Sequence, residues 1–266
     1  MNRTDSNLRE AHHIETCHPK IQSSKRSLPI LDCPCIPFTS DEDAVRFLES
    51  CIKDGQGGYS VAINAEKILQ YRDSKDVRDV INKARMPYAD GFGAVLGLRW
   101  LHGAYAKKIY LHRNGLAAAE EKGWSVYVLG ASKASNEGAI KYIRRQFPNL
   151  RLAGNLDGFV SEETMLSAVT AAKPDLVFLA LGSPRQEILA SKLSKILPGS
   201  FFIGCGGMLD VWAGNVALAP HFLRENGLEW LYRLIREPHR WRRQRRLPKF
   251  LAMVALAAVR KRFFRR

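Results

Sequence analysis

Four short segments of the 266-residue chain join glycine to amide or charged side chains in patterns that can handle a polar, phosphorylated substrate. Tyr88-Ala-Asp-Gly-Phe-Gly sets Asp90 between an apolar stretch and a glycine-rich turn. A carboxylate at a pocket wall is partly desolvated, which raises its pKa and suits it to take a proton from an attacking hydroxyl. The same residues also fit an ordinary Asp-Gly turn. Gly182-Ser-Pro-Arg-Gln-Glu combines a fork donor, an amide and a carboxylate, a set that can recognise a uracil, a ribose or a sugar hydroxyl. It equally describes a strand-to-helix turn with Pro184 and Glu187 at its start. Gly204-Cys-Gly-Gly and Gly130-Ala-Ser-Lys can bring backbone N–H groups to a diphosphate, or simply turn the chain tightly. Neither ends in Gly-Lys-Ser/Thr, so neither is a P-loop.

The elements that must position these segments are visible as alternating apolar runs and helical patterns. Leu28-Pro-Ile-Leu, Tyr59–Ile63, Ser125–Gly130, Pro174–Gly182 and Phe201–Gly204 read as strands, and the unbroken apolar character of the fourth suits burial on both faces. Ser40-Asp-Glu-Asp starts a helix, with acids near the positive end of its dipole. Helical patterns follow over Ala65–Gln70, Lys75–Ala84 and Ala134–Gln146. Such alternation predicts an α/β fold, a Rossmann-like, doubly wound, mostly parallel sheet. In these sheets ligands lie outside the carboxyl ends of the strands. That rule selects Asn64, Gly130-Ala-Ser, Gly182–Glu187 and Gly204–Asp210, the segments already singled out by their chemistry.

The net charge of +15 sits mostly at one end: Arg233 to Arg266 carries thirteen Lys and Arg against the single acid Glu237. The chain divides accordingly into a mobile arm over residues 1–27, an α/β core over 28–231 and a basic amphipathic appendage over 232–266. The arm contains nothing periodic to bury and no hydrophobic leader segment. Five scattered cysteines, Cys17, Cys33, Cys35, Cys51 and Cys205, form no disulfide framework, which suits a reduced, cytoplasmic setting. Neither Cys17 with His12, His13 and His18, nor the Cys33–Cys35 pair, has structural-zinc spacing.

Taken in order, several long motifs are similar to those of the WecG/TagA/CpsF glycosyltransferase family: Asn64-Ala-Glu-Lys, Tyr88-Ala-Asp-Gly, Leu181-Gly-Ser-Pro-Arg-Gln-Glu, Gly206-Gly-Met-Leu-Asp-Val-Trp-Ala-Gly, Ala219-Pro, and Gly227-Leu-Glu-Trp-Leu-Tyr-Arg-Leu before Pro238-His-Arg. The resemblance runs from about Leu28 to Phe250. It implies an inverting transfer from a UDP-sugar to an undecaprenyl-diphosphate-linked sugar in bacterial cell-surface polysaccharide synthesis, with no cofactor and no metal required. By position, Asp90 matches the family's proposed base, and Asn64, Gln186 and Asp210 match its pocket residues. Arg233, Arg240 and Arg243 match arginines thought to neutralise the departing diphosphate, a task that cationic clamps can perform. Three departures bear on donor choice more than on reaction type, one being that the family's Arg-x-x-Gly-x-Asp segment is shortened and altered to Lys108-Ile-Tyr-Leu-His-Arg-Asn-Gly. Ala62 stands where many members carry Thr, and Lys108 stands for an Arg, keeping the charge but losing the fork.

The appendage also reads as a membrane-surface element. Arginines interleave with Trp241, and the ten-residue apolar run Phe250–Val259, too short to span a bilayer, leads into Arg260-Lys-Arg-Phe-Phe-Arg-Arg. Such a segment can seat aromatics at headgroup depth and cations on anionic lipid. The expected location is therefore the inner face of the plasma membrane, peripherally attached, with homo-oligomer formation left open. Arg/Trp mixtures also bind phosphate backbones, so a non-catalytic nucleotide- or nucleic-acid-binding protein is the competing reading, although no nucleic acid partner is expected for the enzyme.

Overall fold

The apolar runs become the interior of a fully parallel sheet. A computed structural model of the chain describes residues 26–217, 220, 222, 232 and 246–263. In chain order it contains β1 Leu28–Ile30, β2 Cys33–Cys35, α1 Asp41–Lys53, β3 Gly58–Ile63, α2 Ala65–Asp73, α3 Lys75–Lys83, β4 Met86–Ala89 and α4 Phe92–His102. Beyond these come α5 Leu111–Lys122, β5 Ser125–Gly130, α6 Lys133–Gln146, β6 Arg151–Leu156, α7 Glu162–Ala172, β7 Leu176–Ala180, α8 Arg185–Ile196, β8 Phe201–Gly204, α9 Met208–Trp212 and α10 Leu247–Phe263. Strands β3 to β8 form one sheet in the order β4-β3-β8-β7-β5-β6, and β1 and β2 pair separately as an antiparallel hairpin.

Period-2 alternation divides the sheet's side chains between two apolar layers. Val61, Tyr127, Leu129, Val177, Leu179 and Phe202 pack with α2, α3, α4, α7 and α8. Val126, Val128, Leu176, Phe178, Phe201 and Ile203 face the other way, onto α1, α5, α6 and α9. Strand β7 is buried at every residue, as its continuous apolar run predicts. The doubly wound α/β expectation is therefore met, with helices on both faces.

The C-terminal apolar run finds a partner within the protein. Phe250 and Val254 of α10 are fully buried against α2 and α4. Lys261 Nζ donates to Leu101 O at 2.8 Å, and Arg246 pairs with Asp73 at 3.3 Å. Ala252, Leu256, Val259 and Phe263 remain exposed along one stripe of the helix. No described helix is long and apolar enough to cross a membrane.

Candidate active site

The chain leaves the carboxyl edge of adjacent strands at Asp90 after β4, Asn64 after β3, Cys205–Asp210 after β8 and Gly182–Gln186 after β7. Four of the sequence-selected residues thus share one edge of the sheet. Between β5 and β7 the connections diverge, β5 leading outward to β6 and β7 inward to β8, which is the switch point where such sheets hold ligands. Close approach there requires glycine: a Cβ on Gly130, whose φ is +123°, would stand 2.4 Å from Ala180 O.

Each candidate side chain has a defined local role. Asp90 N–H donates to Ile63 O at 2.8 Å, so the β3–β4 ladder runs one residue past the strand and sets the Asp90 backbone at the rim. Beneath it, burial of the Tyr88 phenol, reinforced by the Asp90 charge, pushes its pKa well above the ordinary value and keeps it neutral. The expected Gly-Phe-Gly turn is instead the opening of α4, with Gly91 as N-cap and Phe92 and Gly93 already helical. Asn64 caps α2, its Oδ1 accepting from Lys67 N–H at 2.9 Å.

Asp210, in the first turn of α9, accepts from Ser135 Oγ at 2.6 Å. That hydroxyl in turn receives Ser132 Oγ at 2.9 Å and Asn215 Nδ2 at 3.0 Å. Gln186 is buried, with both ends of its amide engaged: Nε2 donates to Glu187 Oε1 at 3.3 Å and Oε1 accepts from Gly206 N–H at 3.2 Å. The Gly204–Gly207 turn therefore differs from the expected row of open amides. Cys205 N–H is taken by Leu179 O and Gly206 N–H by Gln186, while Gly207 N–H keeps no partner among the described residues.

Residues 29–264 match the model of the glycosyl transferase WecG/TagA/CpsF family. The chain belongs to that family. Two relatives carry the name N-acetylglucosaminyldiphosphoundecaprenol N-acetyl-beta-D-mannosaminyltransferase. The protein of Bacillus subtilis (strain 168) is 31% identical over 226 residues, spanning 82% of this chain and 88% of the relative. That of Bacillus spizizenii is 33% identical over 215 residues, spanning 79% and 84%. The chain is thus a glycosyltransferase, and the carboxyl-edge cluster is its candidate active site.

Other features of this glycosyltransferase fall less directly on the site. Lys108 lies in the irregular segment before α5, its Nζ 4.7 Å from the centroid of the Tyr110 ring. The Arg185 fork is partly spent as a brace, donating to Gly158 O at 3.1 Å. Arg233, Arg240, Arg243, Trp241 and the cysteine–histidine cluster of the N-terminal arm lie outside the described residues. Cys33 and Cys35 are buried in β2, and burial pushes the Cys33 thiol up to about 12. No group of three or more His, Cys, Asp or Glu is arranged to hold a metal among the described residues.

Sequence reasoning missed two residues beside the site. Lys67 is 5% exposed and pairs with Glu187 at 2.6 Å. Asn136 is 1% exposed, and its Nδ2 donates to Gly130 O at 3.0 Å and Leu156 O at 2.9 Å, tying the ends of β5 and β6. The available signal was position: each polar residue falls within the first turn of a helix that leaves the carboxyl edge.

Proposed function

We propose that this enzyme moves a sugar from a UDP-sugar to an undecaprenyl-diphosphate-linked sugar, with inversion at the anomeric carbon, during synthesis of a bacterial cell-surface polysaccharide. The observation that carries this reading is Asp90 at the carboxyl end of β4, beside the loop after β3 and on the same sheet edge as the loop after β8, in a chain whose relatives are named for a diphosphoundecaprenol-linked acceptor. Asp90 takes the acceptor hydroxyl proton as the oxygen bonds to the anomeric carbon, and the bond to the UDP oxygen breaks with its electron pair leaving on UDP. One displacement from the face opposite the leaving group inverts the centre. Asn64 and Asp210 contact donor or acceptor hydroxyls, and Gln186 shapes the loop that receives the nucleotide. Lys108, Arg233, Arg240 and Arg243 neutralise the leaving diphosphate, a cationic clamp in place of a metal cofactor.

The same reading places the enzyme at the membrane surface that holds its acceptor. The exposed Leu256, Val259 and Phe263 stripe, flanked by Lys249, Arg260 and Arg262, supports interfacial seating of α10. Each basic residue near an anionic surface adds about 1 kcal/mol.

One assay tests both parts. Purified enzyme is incubated with anionic vesicles, lipid-linked acceptor and a panel of UDP-sugars, and UDP release is followed. Asp90→Asn should lower turnover roughly a hundredfold or more while UDP still binds. EDTA should change nothing, and the protein should pellet with the vesicles. Wild-type turnover in Asp90→Asn removes the base, activity abolished by EDTA removes the metal-free clamp, and absence from the pellet removes the membrane seat.

A further inference from the structure

Among the described residues, Lys67 and Glu187 are the two buried charged side chains, and they lie in the first turns of helices α2 and α8, which follow different strands. A buried ion pair is a poor device for stability, because desolvation of both charges offsets their attraction. Here the second carboxylate oxygen of Glu187 is buried without a hydrogen-bond partner, so the pair is not built for stability alone.

Its geometry has a different consequence. Glu187 Oε1 accepts from Lys67 Nζ at 2.6 Å and from Gln186 Nε2 at 3.3 Å. A carboxylate only accepts, so the Gln186 amide must turn its NH2 towards Glu187 and its oxygen away. That oxygen receives Gly206 N–H at 3.2 Å. Gly204 makes room for the arrangement, since a Cβ there would stand 2.4 Å from Gln186 Nε2. At the other end, Lys67 Nζ also donates to Ser183 Oγ, and its backbone N–H is capped by Asn64. The loops after β3, β7 and β8 are thereby joined through one lysine.

We propose that Lys67 and Glu187 are positioning residues: their ion pair sets the amide orientation of Gln186, which holds the Gly206 turn in the form that leaves Gly207 N–H open to the donor's diphosphate. The proposal rests on the UDP-sugar reading above, so its test carries separate readouts for each. The double variant K67M/E187M keeps side-chain volume and removes both charges. In the full-length protein it should melt within a few degrees of wild type, since apolar replacement of a whole pair is tolerated. Amide exchange at Gly206 should nevertheless rise about tenfold, and the Kd for UDP should rise about fivefold or more.

UDP binding by the wild-type protein reports on the donor reading itself. Wild-type protein that binds no UDP defeats that reading, and exchange at Gly206 in the double variant then decides the positioning role alone. Q186A, measured alongside, should lose UDP affinity, and unchanged affinity there overturns the link from Gln186 to the diphosphate. Wild-type exchange at Gly206 in K67M/E187M overturns the proposal. So does wild-type UDP affinity there when Q186A has lost it. Should the double variant not fold, K67M/E187L, which also removes both charges, is read in the same way.

Discussion

Two polar clusters fasten the segment that follows β8, and they use different chemistry. One is ionic: Lys67, Glu187 and Gln186, all buried, reach Gly206. The other is built from hydroxyls and amides: Ser132, Ser135 and Asn215 converge so that Ser135 Oγ donates to Asp210. In the first, opposite charges face each other with little water nearby, and either is costly without the other. In the second, a half-buried carboxylate keeps access to solvent, and its partners are neutral. One short loop is thus held by an all-or-none contact at one point and a graded contact at another.

The largest effect is expected from removing one charge of the ionic cluster. Lys67→Met strands Glu187 as an unpaired buried carboxylate and should cost about 3–5 kcal/mol. Urea unfolding checks this, and a midpoint shift no larger than that of a surface lysine variant would refute the all-or-none description. The double replacement should recover most of the loss, so the two sites should couple strongly in a double-mutant cycle.

The contrast also marks what the chain reveals before it folds. Strands β3, β5, β7 and β8 are legible because they are apolar runs ending in glycine or a polar residue, and the carboxyl-edge rule then points at Asn64, Gln186 and Asp210. Strand β4 is hidden by its brevity and by Pro87, which the sheet tolerates at an edge. Strand β6 alternates between exposed and half-buried residues, with too little apolar character to register. Gly93 looks like turn chemistry but is a packing residue, since a Cβ there would lie 3.0 Å from Ala65 Cβ and 3.2 Å from Phe250 Cε1. The C-terminal apolar run suggests a surface for lipid, yet Phe250 and Val254 fill the core and leave only the opposite stripe exposed. Lys67 was out of reach because its partner lies 120 residues away. For Gly93, the C-terminal run and Lys67, tertiary contact, which local pattern does not encode, decided the outcome.

A smaller effect is expected in the hydroxyl cluster. Ser135→Ala removes the hydroxyl that donates to Asp210 and leaves Ser132 Oγ and Asn215 Nδ2 without their acceptor. Partial solvent access should limit the stability loss to about 1–2 kcal/mol. On the proposed role of Asp210, turnover at saturating substrates should change little while the KM of the substrate it contacts, donor or acceptor, rises several-fold. A fall in turnover at unchanged KM would place Asp210 in the chemical step instead.

The smallest expected effect comes from Cys205, which lies in the same segment, one residue before Gly206. Its Sγ donates to Leu179 O at 3.4 Å, and burial pushes its pKa from 9.0 up to about 12. In the unfolded chain the thiol ionises near 9, whereas the folded protein must keep it protonated. The raised pKa therefore costs nothing below pH 9, and stability falls as pH climbs from 9 towards 12. At pH 10 the loss from this one thiol should be about 1 kcal/mol. Cys33, Cys35 and Cys51, also raised by burial, add losses of the same sign. Melting temperatures measured from pH 7 to pH 11 should be flat to about 9 and then decline, and Cys205→Ala should make the decline shallower. An equal slope in that variant would mean that ionisation of Cys205 takes no part in loosening the segment that both clusters hold.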